Sequence, residues 1–142
     1  MFHFQLVSVS GKKFDDTVHE VVLPTLDGEI GILQDHMPLI SVATTGAVAI
    51  RRNSKDSDAQ REYFATNGGV IEVDHNTVRM LVDEADRADD INEAEALRAL
   101  ERAEKMRAEA KDQISLEHAQ SLVDRQAVRL QVAGLKKRHT KH

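Results

Sequence analysis

Both prolines, Pro24 and Pro38, and six of the seven glycines lie before residue 70 of this 142-residue chain; only Gly134 lies beyond. Proline removes a backbone donor and glycine weakens a helix interior, so these residues punctuate turn-rich chain and are kept out of long helices. Their distribution predicts two parts of different kinds: a β-rich unit first and a helical unit after it.

The first part reads as short strands between turns. Phe2, Phe4 and Leu6 alternate, then Val7 and Val9 continue in the opposite phase, as a strand with a bulge would. Val18 to Leu23 is a second run, stopped by Pro24, and Ile30 and Ile32 alternate around a glycine turn at Gly28 and Gly31. Ala47 to Ile50 follows Gly46, and the polar stretch 53–60 predicts a hairpin loop between Ile50 and Tyr63. Val70-Ile71-Glu72-Val73, a turn through Asp74, His75 and Asn76, and the alternating Val78, Met80 and Val82 complete the pattern. Many short strands at this spacing predict an antiparallel β-sandwich or flattened barrel over residues 1–86.

The second part is rich in Ala, Glu and Arg, all strong helix formers. Asp89-Asp90 can cap a helix from Ile91 to Ala110, with a narrow stripe of Ala96, Ala99, Leu100, Ala103, Met106 and Ala110. Residues 111–115 interrupt the register. A second stripe then runs through Leu116, Ala119, Leu122, Val123, Ala127, Leu130 and Ala133 until Gly134 offers a C-cap. Two helices joined by a short break predict an antiparallel hairpin over residues 89–134, followed by a flexible basic tail, 135–142. A hairpin this rich in alanine holds itself together weakly and is a candidate for movement.

Composition narrows the function. With no cysteine there is no disulfide and no thiolate nucleophile or metal ligand, and aromatics at 4% with no tryptophan leave an aliphatic core. No basic, apolar leader and no run of about 20 apolar residues is visible, so the chain is expected to meet a membrane only through partners. Residues 1–89 carry 8 basic and 15 acidic side chains, residues 90–142 carry 11 and 9, and from residue 113 onward the count is 6 to 2. This is too mild for nucleic acid and suits a basic helix meeting an acidic protein surface. The histidines are scattered without ligand spacing, and Gly28-x-x-Gly31 and Gly68-Gly69 are far short of a phosphate loop. Asp15-Asp16 and Asp89-Asp90 read as loop and cap residues. No catalytic or metal site is expected.

Three stretches in order resemble the ε-subunit family of F-type rotary ATP synthases. The first is the run from Pro24 through Gly28, Glu29, Gly31, Ile32, His36 and Pro38 to Leu39, close to the family's Gly-Glu-x-Gly-Ile-x-x-x-His-x-Pro-Leu signature. The second is Tyr63-Phe64 through Gly68-Gly69 to Glu72-Val73, and the third is Asn76-Thr77-Val78 through Leu81-Val82 to Glu84-Ala85. Gln34-Asp35 departs from the Pro-Gly common in the first stretch, and the loop at 53–60 is extended. The resemblance implies a non-catalytic central-stalk subunit, peripheral on the cytoplasmic face of a bacterial plasma membrane. Its implied partners are the γ shaft, the c-subunit rotor ring and the α/β catalytic head, and its implied role is to couple rotation to ATP synthesis while the mobile hairpin inhibits hydrolysis. Glu29, His36, Pro38 and Leu39 are then expected at the rotor-ring and shaft interface. Arg125, Arg129, Lys136 and Lys137 are expected to meet the catalytic head.

An alternative reading is an ATP-sensing module, because some members bind ATP through an Ile/Leu-Asp-x-x-Arg-Ala motif. The stretch set against that motif reads Asp83-Glu84-Ala85-Asp86-Arg87-Ala88, with glutamate for aspartate and aspartate for the aliphatic residue. Glu84, Arg87, Arg125 and Arg129 would hold the nucleotide, and the substitutions predict weak binding or none. A free-standing helical adaptor unrelated to the synthase is the third reading; it would co-purify with neither shaft nor ring.

Overall fold

The computed structural model describes residues 1–140, with side chains for residues 1–137. Its strands are β1 (Phe2–Ser8), β2 (Gly11–Val18), β3 (Glu20–Thr25), β4 (Gly28–Ile32), β5 (Leu39–Arg51), β6 (Glu62–Asp74), β7 (Thr77–Val82) and β8 (Ala85–Arg87). Two helices follow, α1 (Glu93–Glu109) and α2 (Gln113–Thr140). The hydrogen-bonded order is β2-β1-β7-β6-β5-β3-β4, with β8 on the free half of β6. All pairs are antiparallel except β1 with β7, which run parallel.

One ladder makes two layers because its central ribbon changes face. The long strands β5 and β6 keep one register from Leu39↔Val73 to Ile50↔Glu62. Yet Phe64 and Thr66 are buried in the first half of β6, and Ile71 and Val73 in the second. Even-numbered residues thus face the core at one end and odd-numbered ones at the other, with no residue inserted. The switch falls at Gly68 and Gly69, whose φ values of 87° and 150° are conformations side chains rarely adopt. There β6 also changes partner, from β8 at Thr66↔Ala85 to β7 at Gly69↔Val82. The two layers close on one core that takes Phe14 and Val18 from edge strand β2, Ile32 from edge strand β4, and Phe4, Leu6, Leu23, Ile50, Phe64, Ile71 and Met80 between them.

Several local expectations need correction. β1 holds one phase throughout: Ser8 takes the next inward position after Leu6, and Val9 is exposed. The register shift lies opposite, where Leu6 pairs with Phe14 and Val7 with Lys12, leaving Lys13 of β2 as the extra residue. β2 itself carries only Phe14 and Val18 as buried residues, too sparse a pattern to read as a strand. Pro24 lies inside β3 and does not end it, because the β3–β5 ladder is interrupted between Val22 and Thr25. Gly46 passes directly under Pro24; a Cβ there would stand 2.6 Å from the proline Cβ.

The hairpin lies on the outer face of the β5–β6 ribbon. A second, smaller cluster joins Tyr63, Ala65, Ala88, Ile91, Ala96, Val132 and Ala133. α1 is capped by Asn92, whose side-chain oxygen accepts from the Glu95 amide at 3.0 Å, and not by Asp89-Asp90, which sit in a 3-10 turn. α2 starts one turn earlier than its apolar stripe suggests. Asp112 accepts from the Ser115 amide at 2.7 Å, and that bond, with one from the Ser115 hydroxyl, holds its carboxyl below the usual range. α2 also runs through Gly134 to Thr140, so that glycine is no cap and residues 135–140 of the expected tail are helical; residues 141–142 lie outside the described residues.

Candidate functional site

Chemistry concentrates in three places on the surface. At one end of the sandwich, the loop between β4 and β5 carries the expected interface residues. Asp35 adopts a left-handed φ of 63°, the conformation a glycine would take there, and its amide donates to Asn76 Oδ1 at 2.9 Å. Gln34-Asp35 therefore still builds the turn, and the loop is laced to the β6–β7 turn, where His75 and Asn76 are also left-handed. The chain's N-terminal ammonium reaches Gln34 Oε1. His36 is half-buried, with Nδ1 2.8 Å from the Met37 carbonyl oxygen, Pro38 is exposed, and Leu39 packs against the core. Glu29 stands apart on β4, opposite Pro24, and lines a groove with Gln131 and Leu135 of α2. Around the loop large apolar side chains are bared: Met37 is 72% and Ile40 78% exposed, with Leu33 exposed in the same loop.

The second place was not anticipated from the sequence. Val42, Val70 and Leu81 are direct cross-strand partners on β5, β6 and β7, and all three face outward. Leu81 pairs in turn with Val7 of β1, so an apolar row crosses four strands on the face away from the core. The available signal was Val70-Ile71, adjacent apolar residues in a strand that needs only one of them for its core.

The third place is the seam between hairpin and sandwich. Glu84, just before β8, and Asp86 within it face α2, where Arg125 pairs with Glu84 and Arg129 Nε lies 3.2 Å from Asp86 Oδ2. Arg129 also donates to the buried Gln126 at 3.0 Å, while its Nε–H, buried, finds no aligned acceptor. Lys137 Nζ stands 2.8 Å from Glu93 Oε1 at the start of α1, and Lys136 is half-buried on the next position. Arg87, next along β8, points to the opposite side: it bonds Glu62 at 2.9 Å and stacks over Phe64 at 4.9 Å. Glu62 also receives Arg52, which lies over the Phe14 ring. Burial pushes the Glu62 carboxyl up, but the two guanidiniums together outweigh it and hold that group below its ordinary range.

The four residues expected to hold a nucleotide are thus divided. Glu84, Arg125 and Arg129 share the seam with Asp86, and Arg87 sits on the other side with Glu62, over Phe64. The space enclosed by the seam group is about 10 Å³, room for about one water. A phosphate would have to displace two carboxylates to reach the arginines. A second stretch, Ile91-Asn92-Glu93-Ala94-Glu95-Ala96, meets the nucleotide motif at its aliphatic and alanine positions. There the arginine position is Glu95, and Asn92 is the α1 cap, so neither stretch carries the whole motif.

Residues 1–88 match the family model described as ATP synthase, Delta/Epsilon chain, beta-sandwich domain. Residues 89–134 match ATP synthase, Delta/Epsilon chain, long alpha-helix domain. The ATP synthase epsilon chain of Halalkalibacterium halodurans is 35% identical over 133 residues, covering 93% of this chain and 96% of its own. That of Thioalkalivibrio sulfidiphilus is 34% identical over 140 residues, covering 99% and 97%. Among solved structures, a chain of the Euglena gracilis mitochondrial ATP synthase OSCP/F1/c-ring assembly superposes with a TM-score of 0.75 at 16% identity, over 98% of this chain and 80% of that one. A chain of the Tetrahymena thermophila mitochondrial central stalk and c-ring gives 0.59 at 15% identity, over 92% and 95%.

Proposed function

For a chain that belongs to the delta/epsilon family of ATP synthase subunits, as an ε chain, we propose a non-catalytic role in the central stalk, joining the γ shaft to the c-subunit rotor ring. The observation that carries this reading is apolar surface bared on the sandwich: the loop end with Met37 and Ile40, and the row Val42–Val70–Leu81. Exposed apolar side chains grouped this way mark a protein interface. They lie on the sandwich, which leaves the hairpin free to move while the grip is kept. His36, Pro38 and Leu39 contribute at the ring-facing end, with Asp35 shaping the loop, while Glu29 stands apart beside α2. No described helix is long and apolar enough to cross a membrane, which fits attachment through partners on the cytoplasmic face.

The hairpin supplies regulation. Folded, it spends Arg125 and Arg129 on Glu84 and Asp86. Extended along the shaft, it turns the same arginines, with Lys136 and Lys137, toward acidic surface of the α/β head and blocks ATP hydrolysis. The two states compete for the same cations, which makes the seam a two-state element.

The test is co-purification from membranes with a tagged chain carrying Val70→Asp and Met37→Asp. Both substitutions are on outward-facing, exposed positions, so the melting temperature should hold. Recovery of shaft and ring subunits should fall by at least tenfold. Undiminished recovery with an intact fold would refute the assignment of these surfaces.

A further inference from the structure

The loop 53–60, longer than the resemblance calls for, is ordered and lies against the hairpin. It is laced from within and from its stems. Asn53 donates to Asp56 Oδ2 at 3.1 Å, and Arg51 reaches the Asp56 carbonyl oxygen and, at 2.9 Å, Asp58 Oδ1. Arg61 Nε lies 3.4 Å from the same Asp58 oxygen. Ser57 and Gln60 close a capping box around a 3-10 turn, Asp58–Gln60. Asp58 gives the largest contribution raising the Arg51 guanidinium above its ordinary value, as expected of a charge held in place.

That 3-10 turn packs against α2. Arg61, just beyond it, lines a groove with Gln131 and Leu135, and Tyr63 beneath is in the cluster with Val132 and Ala133. This is the part of α2 that continues as helix through Gly134, where the sequence alone predicts a stop. A rigid surface costs little further entropy when a helix docks on it. The alanine-rich cluster under the hairpin is small, so an added contact at the helix end weighs heavily in the balance.

We infer that the 53–60 loop is a clasp for the C-terminal turns of α2, biasing the hairpin toward its folded position. The inference rests on the reading of a mobile hairpin, but it concerns the isolated chain and is tested without a synthase. Residues 53–60 would be replaced by Asn-Gly, leaving a three-residue hairpin loop between Arg51 and Arg61. Leu135→Ala, on the helix side of the groove that Arg61 lines, serves as a second variant that leaves the strands untouched. Amide hydrogen exchange reads each residue's local opening. Exchange at residues 131–137 should quicken at least tenfold in each variant, and the two effects should be less than additive in the double variant. Protection at residues 3–7, 71–73 and 78–82 should not change. Unchanged exchange at 131–137 in Leu135→Ala, or a rise shared equally by the sandwich strands, would overturn the clasp. Loss of shaft binding with exchange as expected would bear only on the proposed function.

Discussion

Gly69 has no space for a side chain: a Cβ built there would stand 1.9 Å from the Leu81 carbonyl oxygen, on backbone that cannot yield without breaking the β6–β7 ladder. Gly31, in edge strand β4, would meet nothing within 4 Å and has no left-handed φ. Gly69→Ala is therefore expected to cost about 3 kcal/mol or more, and Gly31→Ala within about 0.5 kcal/mol, by urea denaturation. Equal costs would mean that the face switch does not depend on that glycine. At this scale the sequence was legible where a residue's own preference decides. Gly68 and Gly69 take the positive φ that glycine tolerates readily, within a strand. The sequence was opaque where a neighbour decides. Asp35 reads as a polar loop residue until Asn76, far along the chain, is seen to bind its amide. Pro24 reads as a stop until the interrupted ladder beside it is seen.

Among the elements, the seam carries a sign test. Glu84→Gln with Asp86→Asn removes partners used only in the folded hairpin, so more hairpins extend and ATP hydrolysis by the purified complex should fall. Arg125→Ala with Arg129→Ala removes the cations from both states, and hydrolysis should rise while synthesis changes little. The two pairs together are worth about 1 kcal/mol, given exposed pairs near roughly 0–1 kcal/mol each, which shifts the equilibrium about fivefold. Both effects should shrink as salt screens the charges. Rates moving in the same direction for both variants would sink the competition. The helices themselves were readable from their 3.6-residue stripes, and Ala96, Ala103, Ala119 and Ala133 are buried as expected. Met106 and Leu116 are not, because they lie near the open tip, where neither helix has a third layer to cover it; Ala127 is exposed as well, with Gln126 in the buried position beside it. The seam's pairing was not readable: Arg125 and Arg129 declare a basic face, but their partners depend on how β8 is placed by β6.

For the molecule as a whole, two clusters of buried residues divide the labour. Among the described residues the sandwich core draws on every long strand and on no helical residue, while the seam cluster holds mostly alanine and valine. A chain cut after Asp89 should therefore keep a cooperative unfolding transition, bind the shaft and support coupled synthesis, with only the restraint on hydrolysis lost. A fragment that is unfolded or does not bind would contradict this division. The parallel pairing of β1 with β7 has a consequence for how the protein is made. Phe4 lies beside Val78, and β1 leaves the ribosome well before β7. It can pair with β2 at once, but its other edge stays open until about seventy further residues emerge, roughly 4–15 s at about 5–20 residues per second. During synthesis Phe2, Phe4 and Leu6 thus stand at an unclosed edge, waiting for a strand made long after their own.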